Sequence, residues 1–169
     1  MSIKGNKGKS GGGGGKEEVV TRPPPAKGAV AASLVVLDGL DVDALVLLIG
    51  EDERPLTGAA GLLDWRMCGW LSQQLLAGAF RGARGEKVLT WPAGRLAVPA
   101  VVLMGLGKTA EARDVLGATL DEVQKVLEAA KLARVALGAC VPAATVEEAL
   151  ATRPQLKERI KTLLEAQAP

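Results

Sequence analysis

Histidine is absent from the 169 residues of the chain. Without an imidazole, the chain cannot build a Ser-His-Asp or Cys-His catalytic site, and it has no ligand for a histidine-bound zinc ion. It also lacks the side chain whose unperturbed pKa lies nearest to neutral pH. The composition alone therefore excludes several classes of hydrolase and metal centre.

Aromatic residues are almost as scarce, at 2% of the chain. They are Trp65, Trp70, Trp91 and Phe80, and there is no tyrosine. The core must then be built from Val, Leu and Ala, in agreement with a hydrophobic content of 48%. Because proteins bind single-stranded nucleic acids by stacking bases on exposed aromatic rings, the composition does not indicate a nucleic-acid partner.

Long apolar runs are missing as well. No stretch approaches the roughly 20 apolar residues of a membrane-spanning helix, and the polar, glycine-rich N-terminus lacks the apolar region of a signal peptide. We therefore expect a cytoplasmic protein without a membrane partner. The two cysteines, Cys68 and Cys140, have apolar neighbours and are predicted to be buried free thiols in a reducing compartment.

The N-terminal segment has a composition that cannot form a packed core. It contains five consecutive glycines at 11–15 and three prolines at 23–25, and it concentrates positive charge in a chain of net charge +2. Residues 1–28 are therefore predicted to be a disordered Gly/Lys/Pro-rich tail, and residues 29–169 the folded domain. Weak DNA binding through the basic tail is an alternative to an inert, solubilising tail.

Two apolar runs open the domain, and the β-branched residues in both predict strands at 33–40 and 44–50. Thr57 is then placed to cap a helix that runs to about Leu76 and ends at Gly78. Apolar residues lie nearly all round this helix, which predicts that it is covered on most faces. Either it lies between the sheet and another layer, or it carries a contact surface for another chain.

The second half of the chain alternates strands and helices. Strands are predicted at 87–91, 98–104 and 134–140. The sequence TLDE (119–122) is typical of a capping box that opens a helix, with an apolar face made of Leu120, Val123, Val126, Leu127 and Ala130. A second capping box, TVEE (145–148), predicts a terminal helical region through Leu164 that ends the chain as a charged amphipathic helix. This order of elements predicts a three-layer α/β fold with a mixed β-sheet flanked by helices.

The sequence VVLMGLGKTA is the stretch most suggestive of chemistry, because an apolar strand ends in two glycines and a lysine before a helix. GLGKTA satisfies the permissive dinucleotide pattern Gly-x-Gly-x-x-Ala, but the acidic residue expected about 20 positions later falls inside a predicted helix, near Glu128. A Walker A loop needs a glycine five positions before Gly107, where this chain has valine. An anion contact by Gly105, Gly107 and Lys108 is still allowed. The interpretation that we favour is that the glycines only let the strand leave the sheet.

Residues 43–108 together resemble the N-terminal domain of the leucyl (cytosol) aminopeptidase family. The segments that carry the resemblance are DALVLLI, LTGAAGLLD, GWLSQQLLAGAFRGARGE and a strand ending in GLGK. The resemblance continues loosely to VALGACVP and so covers residues 33–142. It depends on the order and spacing of these segments, and it implies a macro-domain-like fold.

In the resembled family, the metal ligands and the catalytic lysine belong to a separate C-terminal domain. This chain ends at Pro169, where that domain would begin, and its last stretch has no clustered carboxylates of the kind that a two-metal site needs. The resemblance therefore implies a non-catalytic domain, without catalytic residues, cofactor or metal site.

Because the helix at 59–76 is apolar on nearly all sides and the resemblance implies no catalytic half, we expect the domain to act in protein–protein interaction or oligomerisation. Its partner would be another protein or further copies of the chain, and it would be accessory to an aminopeptidase. The alternative is a module that binds a nucleotide or an ADP-ribose-like small anion at Gly105, Gly107 and Lys108. Nucleic acids and membranes are not expected partners.

Overall fold

A computed structural model of the chain describes residues 28–165 and places six strands in one mixed sheet. The strands are β1 (Ala29–Ala31), β2 (Ala44–Gly50), β3 (Lys87–Thr90), β4 (Ala100–Gly107), β5 (Val135–Ala139) and β6 (Ile160–Glu165). Their order across the sheet is β1-β6-β5-β2-β4-β3. All neighbours are parallel except β3, which is antiparallel to β4.

Helices cover both faces of this sheet. They are α1 (Leu34–Asp38), α2 (Gly58–Arg66), α3 (Trp70–Leu76), α4 (Ala112–Ala129), α5 (Ala143–Leu150) and α6 (Pro154–Arg159). Along β2, Val46 and Leu48 point into an apolar cluster with α4, α5 and α6, whereas Leu45, Leu47 and Ile49 point into a second cluster with α1, α2 and α3. This alternation confirms the predicted three-layer α/β fold with a mixed sheet.

The complete burial of the central strands explains why the sequence predicted them correctly. Every residue of β2 and β4 is buried, because parallel strands covered on both faces are apolar throughout. The strands predicted at 44–50, 87–91, 98–104 and 134–140 are all confirmed, with differences of a few residues at their ends.

The strand predicted at 33–40 is wrong, because this segment forms helix α1. The hydroxyl of Ser33 accepts a hydrogen bond from the backbone N–H of Val36 at 3.2 Å, which caps the first turn. The short strand β1 precedes it instead and pairs with β6 at the edge of the sheet. A local cap therefore outweighs the strand preference of the β-branched residues.

The single helix predicted from Thr57 to Leu76 is also wrong, since the chain breaks it into α2 and α3. Cys68 and Gly69 both adopt left-handed backbone angles, with φ of 56° and 78°. The carboxylate of Asp64 in α2 then accepts hydrogen bonds from the backbone N–H of Ser72 at 2.9 Å and from its hydroxyl at 2.5 Å. Asp64 thus satisfies a free N–H in the first turn of α3 and fixes the angle between the two helices.

Both predicted capping boxes lie inside helices. The hydroxyl of Thr119 donates to the carbonyl of Val115 at 3.2 Å, because α4 begins earlier, at Ala112. The apolar face predicted behind this motif is confirmed, since Leu120, Val123 and Leu127 are buried. The TVEE motif likewise lies within α5, whose N-cap is Pro142.

The prediction of a terminal amphipathic helix is wrong for its last part, because the chain forms strand β6 after α6 ends. This strand fills the position between β1 and β5, so that both of its backbone edges are paired. Leu163 and Leu164 are buried on opposite faces of the sheet, which a helix could not achieve for adjacent residues. Residues 1–27 of the predicted tail, like residues 166–169, lie outside the described residues.

Candidate protein-binding face and the strand-end crevice

The carboxyl ends of β2, β4 and β5 meet at one edge of the sheet. The chain that leaves β2 continues to β4 on one side, whereas the chain that leaves the adjacent β5 continues to β6 on the other side, and α/β sheets bind ligands at such a reversal. Gly105, Gly107 and Lys108, which the sequence predicts as an anion contact, all lie at this strand-end crevice.

A carboxylate of the chain itself occupies the entrance to this crevice. Asp52 accepts the backbone N–H of Thr109 at 2.8 Å through Oδ1 and the Thr109 hydroxyl at 3.0 Å through Oδ2. The N–H of Thr109 is the main cause of the lowered pKa of Asp52, and the charge of exposed Lys108 adds to it. The N–H group that would face a bound anion at this turn is therefore already bonded to a negative charge.

The two glycines have packing and hydrogen-bonding roles of their own. The N–H of Gly105 donates to the backbone carbonyl of Glu86 at 2.8 Å, and the N–H of Gly107 donates to the backbone carbonyl of Gly82 at 2.9 Å. A Cβ on Gly105 would lie 2.0 Å from the carbonyl oxygen of Ala83, and Gly107 has a φ of 77°. These contacts account for both glycines without a ligand, and their contact with an anion stays a prediction.

Glu53 and Cys140 lie close to Gly50 at the same strand ends. The carboxylate of Glu53 accepts the backbone N–H of Gly50 at 3.4 Å and the hydroxyl of Thr57 at 3.0 Å. Burial raises the pKa of the Cys140 thiol to about 12, and the negative charge of Glu53 acts in the same direction. The sequence predicts Cys140 to be a buried free thiol; the thiol is free, but the residue is half-buried.

A separate concavity lies along the outer side of α2 and α3. We call this surface the α2–α3 face. Its groove has a volume of about 1040 Å³ and is lined by both helices and by the loop before α2. The apolar side chains of the groove are Pro55, Leu56, Trp65, Leu75 and Leu76. A largely apolar groove of this size on an outer helix layer is typical of a binding surface.

Two large apolar side chains on this face contribute little to the core. Trp65 is 65% exposed and Leu76 is 89% exposed, whereas Leu63 and Leu71 on the inner side are completely buried. The all-round apolar pattern of this segment therefore divides into an inner set that folds the domain and an outer set that faces solvent. The contact surface that the sequence predicts for this segment stays a prediction, and the outer set is the part of it that is available to a partner.

Charged groups border the groove. Arg66 forms an ion pair with Asp38, with Nε 3.0 Å from Oδ1. Arg54 donates to the carbonyl groups of Gly50 and Arg81. An apolar centre with a polar border is the usual arrangement of a protein–protein interface.

Cys68 lies beside this groove and corrects a prediction. Its thiol is exposed, although the sequence predicts a buried one, because the left-handed turn between α2 and α3 directs it outward. The guanidinium of Arg95 lies 2.9 Å from its sulfur. The loop that follows β3 therefore reaches the same face.

Within residues 28–165, no three Cys, Asp or Glu side chains are grouped as a metal site would require. In the same range, no helix has both the length and the apolar character to cross a bilayer.

The sheet order and helix layers define a macrodomain-like α/β domain. The macrodomain of Mycobacterium tuberculosis DarG has this fold, with a TM-score of 0.57 and 15% identity over 83% of this chain and 99% of that chain. A mutant of tomato leucine aminopeptidase has it as well, with a TM-score of 0.54 and 20% identity over 74% of this chain and 26% of that chain.

Residues 45–166 match the model of the cytosol aminopeptidase family, N-terminal domain, and the chain belongs to this family. A probable cytosol aminopeptidase of Alkaliphilus oremlandii is 29% identical over 98 residues. That alignment covers 57% of this chain and 20% of the relative, so the chain spans a small part of the curated relative's length. The predicted family and its macro-like fold are both confirmed.

Sequence reasoning found the α2–α3 face only in part, and it missed Asp52 and Glu53. Both carboxylates lie in a segment that the sequence identifies only as a polar loop before the helix. Asp52 and Thr109 are 57 residues apart in the chain, and no local pattern links them. The exposed Trp65 and Leu76 could have been found by placing the excess apolar residues on the outer side of two helices.

Proposed function

We propose that this domain is a non-catalytic protein-binding module that is accessory to an aminopeptidase, and that the α2–α3 face is its contact surface. The observation that supports it most is the pair of exposed side chains, Trp65 and Leu76, at an apolar groove with a charged border. Large aromatic and aliphatic groups of this kind dominate binding energy at protein interfaces.

Membership of the family suggests which class of protein the domain binds. The domain matches the N-terminal portion of aminopeptidases, and in the tomato structure the shared fold is 26% of a longer chain. In such a protein this domain lies next to further aminopeptidase polypeptide. We therefore propose aminopeptidase polypeptide as the occupant of the α2–α3 face.

The binding energy would come from burying the groove. Covering a Trp and a Leu side chain removes apolar surface from water, at about 25 cal/mol for each Å². The ion pair of Arg66 with Asp38 is at the border, where solvent still reaches it. Charged groups at a border set orientation and specificity more than affinity.

Sedimentation velocity tests this function. The purified chain is mixed with the cytosol aminopeptidase of the same organism, and co-sedimentation is expected. Hydrolysis of leucine amide by the chain alone, with added Mn²⁺ or Zn²⁺, is the accompanying assay, and the proposed function predicts none. Turnover by the chain alone would contradict the non-catalytic part of the proposal.

A further inference from the structure

Strand β3 ends the sheet on one side, and its outer edge is open. Its single neighbour in the sheet is β4, and none of the described elements pairs with its other side. The opposite edge is formed by β1, whose preceding residues lie outside the described part of the chain. An open edge presents a row of backbone donors and acceptors that a further strand can pair with.

The backbone of β3 shows which residues face outward. The N–H of Gly105 in β4 donates to the carbonyl of Glu86 at 2.8 Å, so this carbonyl, on the residue before β3, points towards β4. Alternate residues of a strand direct these groups to the same side. Val88 and Thr90 therefore also face β4, and Lys87 and Leu89 direct their N–H and C=O groups outward.

The side chains at this edge are unusually open to association. Leu89 is 37% exposed, and Trp91, the first residue after β3, is 67% exposed. A lysine on an edge strand normally discourages pairing, but Lys87 is held by Glu122 of α4, with Nζ 3.1 Å from Oε2. The edge is thus apolar, with its positive charge already paired.

We propose that two copies of this chain associate through their β3 edges, as an antiparallel pair centred on Leu89. In an antiparallel pair, directly opposed residues place their side chains on the same face of the sheet. With a two-fold axis perpendicular to the sheet, this holds only if the numbers of the two opposed residues sum to an even value. The register that opposes Leu89 to Leu89 also opposes Lys87 to Trp91. In this register, the residues that exchange backbone hydrogen bonds are those whose groups point outward.

The occupant is a second copy because the edge is complementary to itself. Leu89 meets Leu89, and each Trp91 ring meets the aliphatic stem of Lys87 of the other copy, whose ammonium stays paired with Glu122 of its own chain. The result is one continuous sheet across both copies, with α4 of each copy on the same face. This inference rests on the proposed function only in treating the domain as an assembly module, and it uses a different surface from the α2–α3 face.

Sedimentation equilibrium of the chain alone tests this pairing. The wild type is expected to be a dimer, and Leu89→Lys is expected to raise the dimer Kd by at least about tenfold, because like charges would be directly opposed. Val35→Lys is the matched control, since Val35 is 82% exposed on α1 and the change adds the same charge. The urea midpoint of each variant shows whether it is folded.

A cross-link then tests the register. In a Cys68→Ser background, Leu89→Cys is expected to form a covalent dimer with a short thiol-to-thiol cross-linker, and Val35→Cys is not. A monomeric wild type, a folded Leu89→Lys variant that dimerises as well as Val35→Lys, or a dimer without cross-linking at 89 would each overturn the inference. Binding of aminopeptidase by the α2–α3 face is measured separately, so failure of one does not imply failure of the other.

Discussion

Asp52 and Thr109 are joined by two hydrogen bonds across the carboxyl ends of β2 and β4. The backbone N–H of Thr109 lies 2.8 Å from Oδ1 and its hydroxyl 3.0 Å from Oδ2. The loop after β2 is thereby fastened to the turn that follows β4. This contact places a negative charge at the carboxyl ends of the strands, the edge at which open α/β sheets bind ligands.

The Asp52 contact predicts a pH dependence of stability. The pKa of Asp52 is lowered in the folded chain, chiefly by the N–H of Thr109. Its stabilising contribution is therefore complete above the ordinary carboxyl pKa of about 4 and is lost as the pH falls through the lowered pKa. We expect wild type to be more stable than Asp52→Asn at pH 7, and the difference to shrink towards pH 3.

Urea unfolding at a series of pH values measures this difference. Glu51→Gln is the control, because Glu51 is an exposed neighbour whose side chain makes no such contact. A difference between wild type and Asp52→Asn that does not change with pH would count against the contact.

The same carboxylate predicts how the crevice responds to anions. If Gly105, Gly107 and Lys108 contact a phosphate group, removing the charge of Asp52 strengthens that contact and removing the charge of Lys108 weakens it. We expect Asp52→Asn to bind inorganic phosphate about fivefold more tightly than wild type, the size of one short-range charge interaction in water. Lys108→Gln should show the opposite change.

Titration calorimetry with inorganic phosphate and with ADP-ribose provides the measurement. Glu51→Gln again serves as the matched control for the loss of one nearby charge. The absence of heat with both ligands in wild type and in Asp52→Asn would reject the anion contact.

Gly105 is predicted to be required for packing. A Cβ there would lie 2.0 Å from the carbonyl oxygen of Ala83, which belongs to the backbone and cannot rotate away. We expect Gly105→Ala to lower the free energy of unfolding by about 2–3 kcal/mol, as overpacked sites do. Gly117→Ala is the comparison, because its Cβ would meet only side-chain atoms of Arg153 and no backbone atom, and helix propensity favours alanine by about 1 kcal/mol. Equal stabilities of the two variants would contradict this packing role.

The two thiols are predicted to react at very different rates. Cys68 is exposed, whereas the pKa of Cys140 is raised to about 12 by burial, so Cys140 carries almost no thiolate at pH 8. A colorimetric thiol reagent is expected to titrate one group rapidly in the native chain and the second only after unfolding. In Cys68→Ser the rapid phase should disappear, and its persistence would show that the burial of Cys140 is wrong.

The elements that the sequence predicted correctly are those whose local pattern agrees with their tertiary position. Strands β2 and β4 are apolar throughout and lie at the buried centre of the sheet. The wrong predictions concern segments whose state depends on distant contacts. Residues 160–165 form a strand because β1 and β5 leave a position between them, and no local pattern signals that position.

The candidate sites show the same division. The apolar excess between Thr57 and Leu76 predicts a contact surface, which stays a prediction, and its outer members are identified only once the turn at Cys68 and Gly69 separates the two helices. The glycines after β4 suggested a ligand because their sequence matches a phosphate-binding pattern. Their close packing against residues 82–86 comes from a loop that the sequence does not specify.

The α2–α3 face is tested most directly by sedimentation velocity of the chain mixed with the cytosol aminopeptidase of its own organism. Trp65→Ser and Leu76→Ser are expected to abolish co-sedimentation and, as exposed substitutions, to change the free energy of unfolding by less than about 1 kcal/mol. Val35→Ser, an equally exposed change on α1, should co-sediment as wild type does. Absence of co-sedimentation with wild type, or binding that survives both the Trp65 and Leu76 substitutions, would contradict the proposed function.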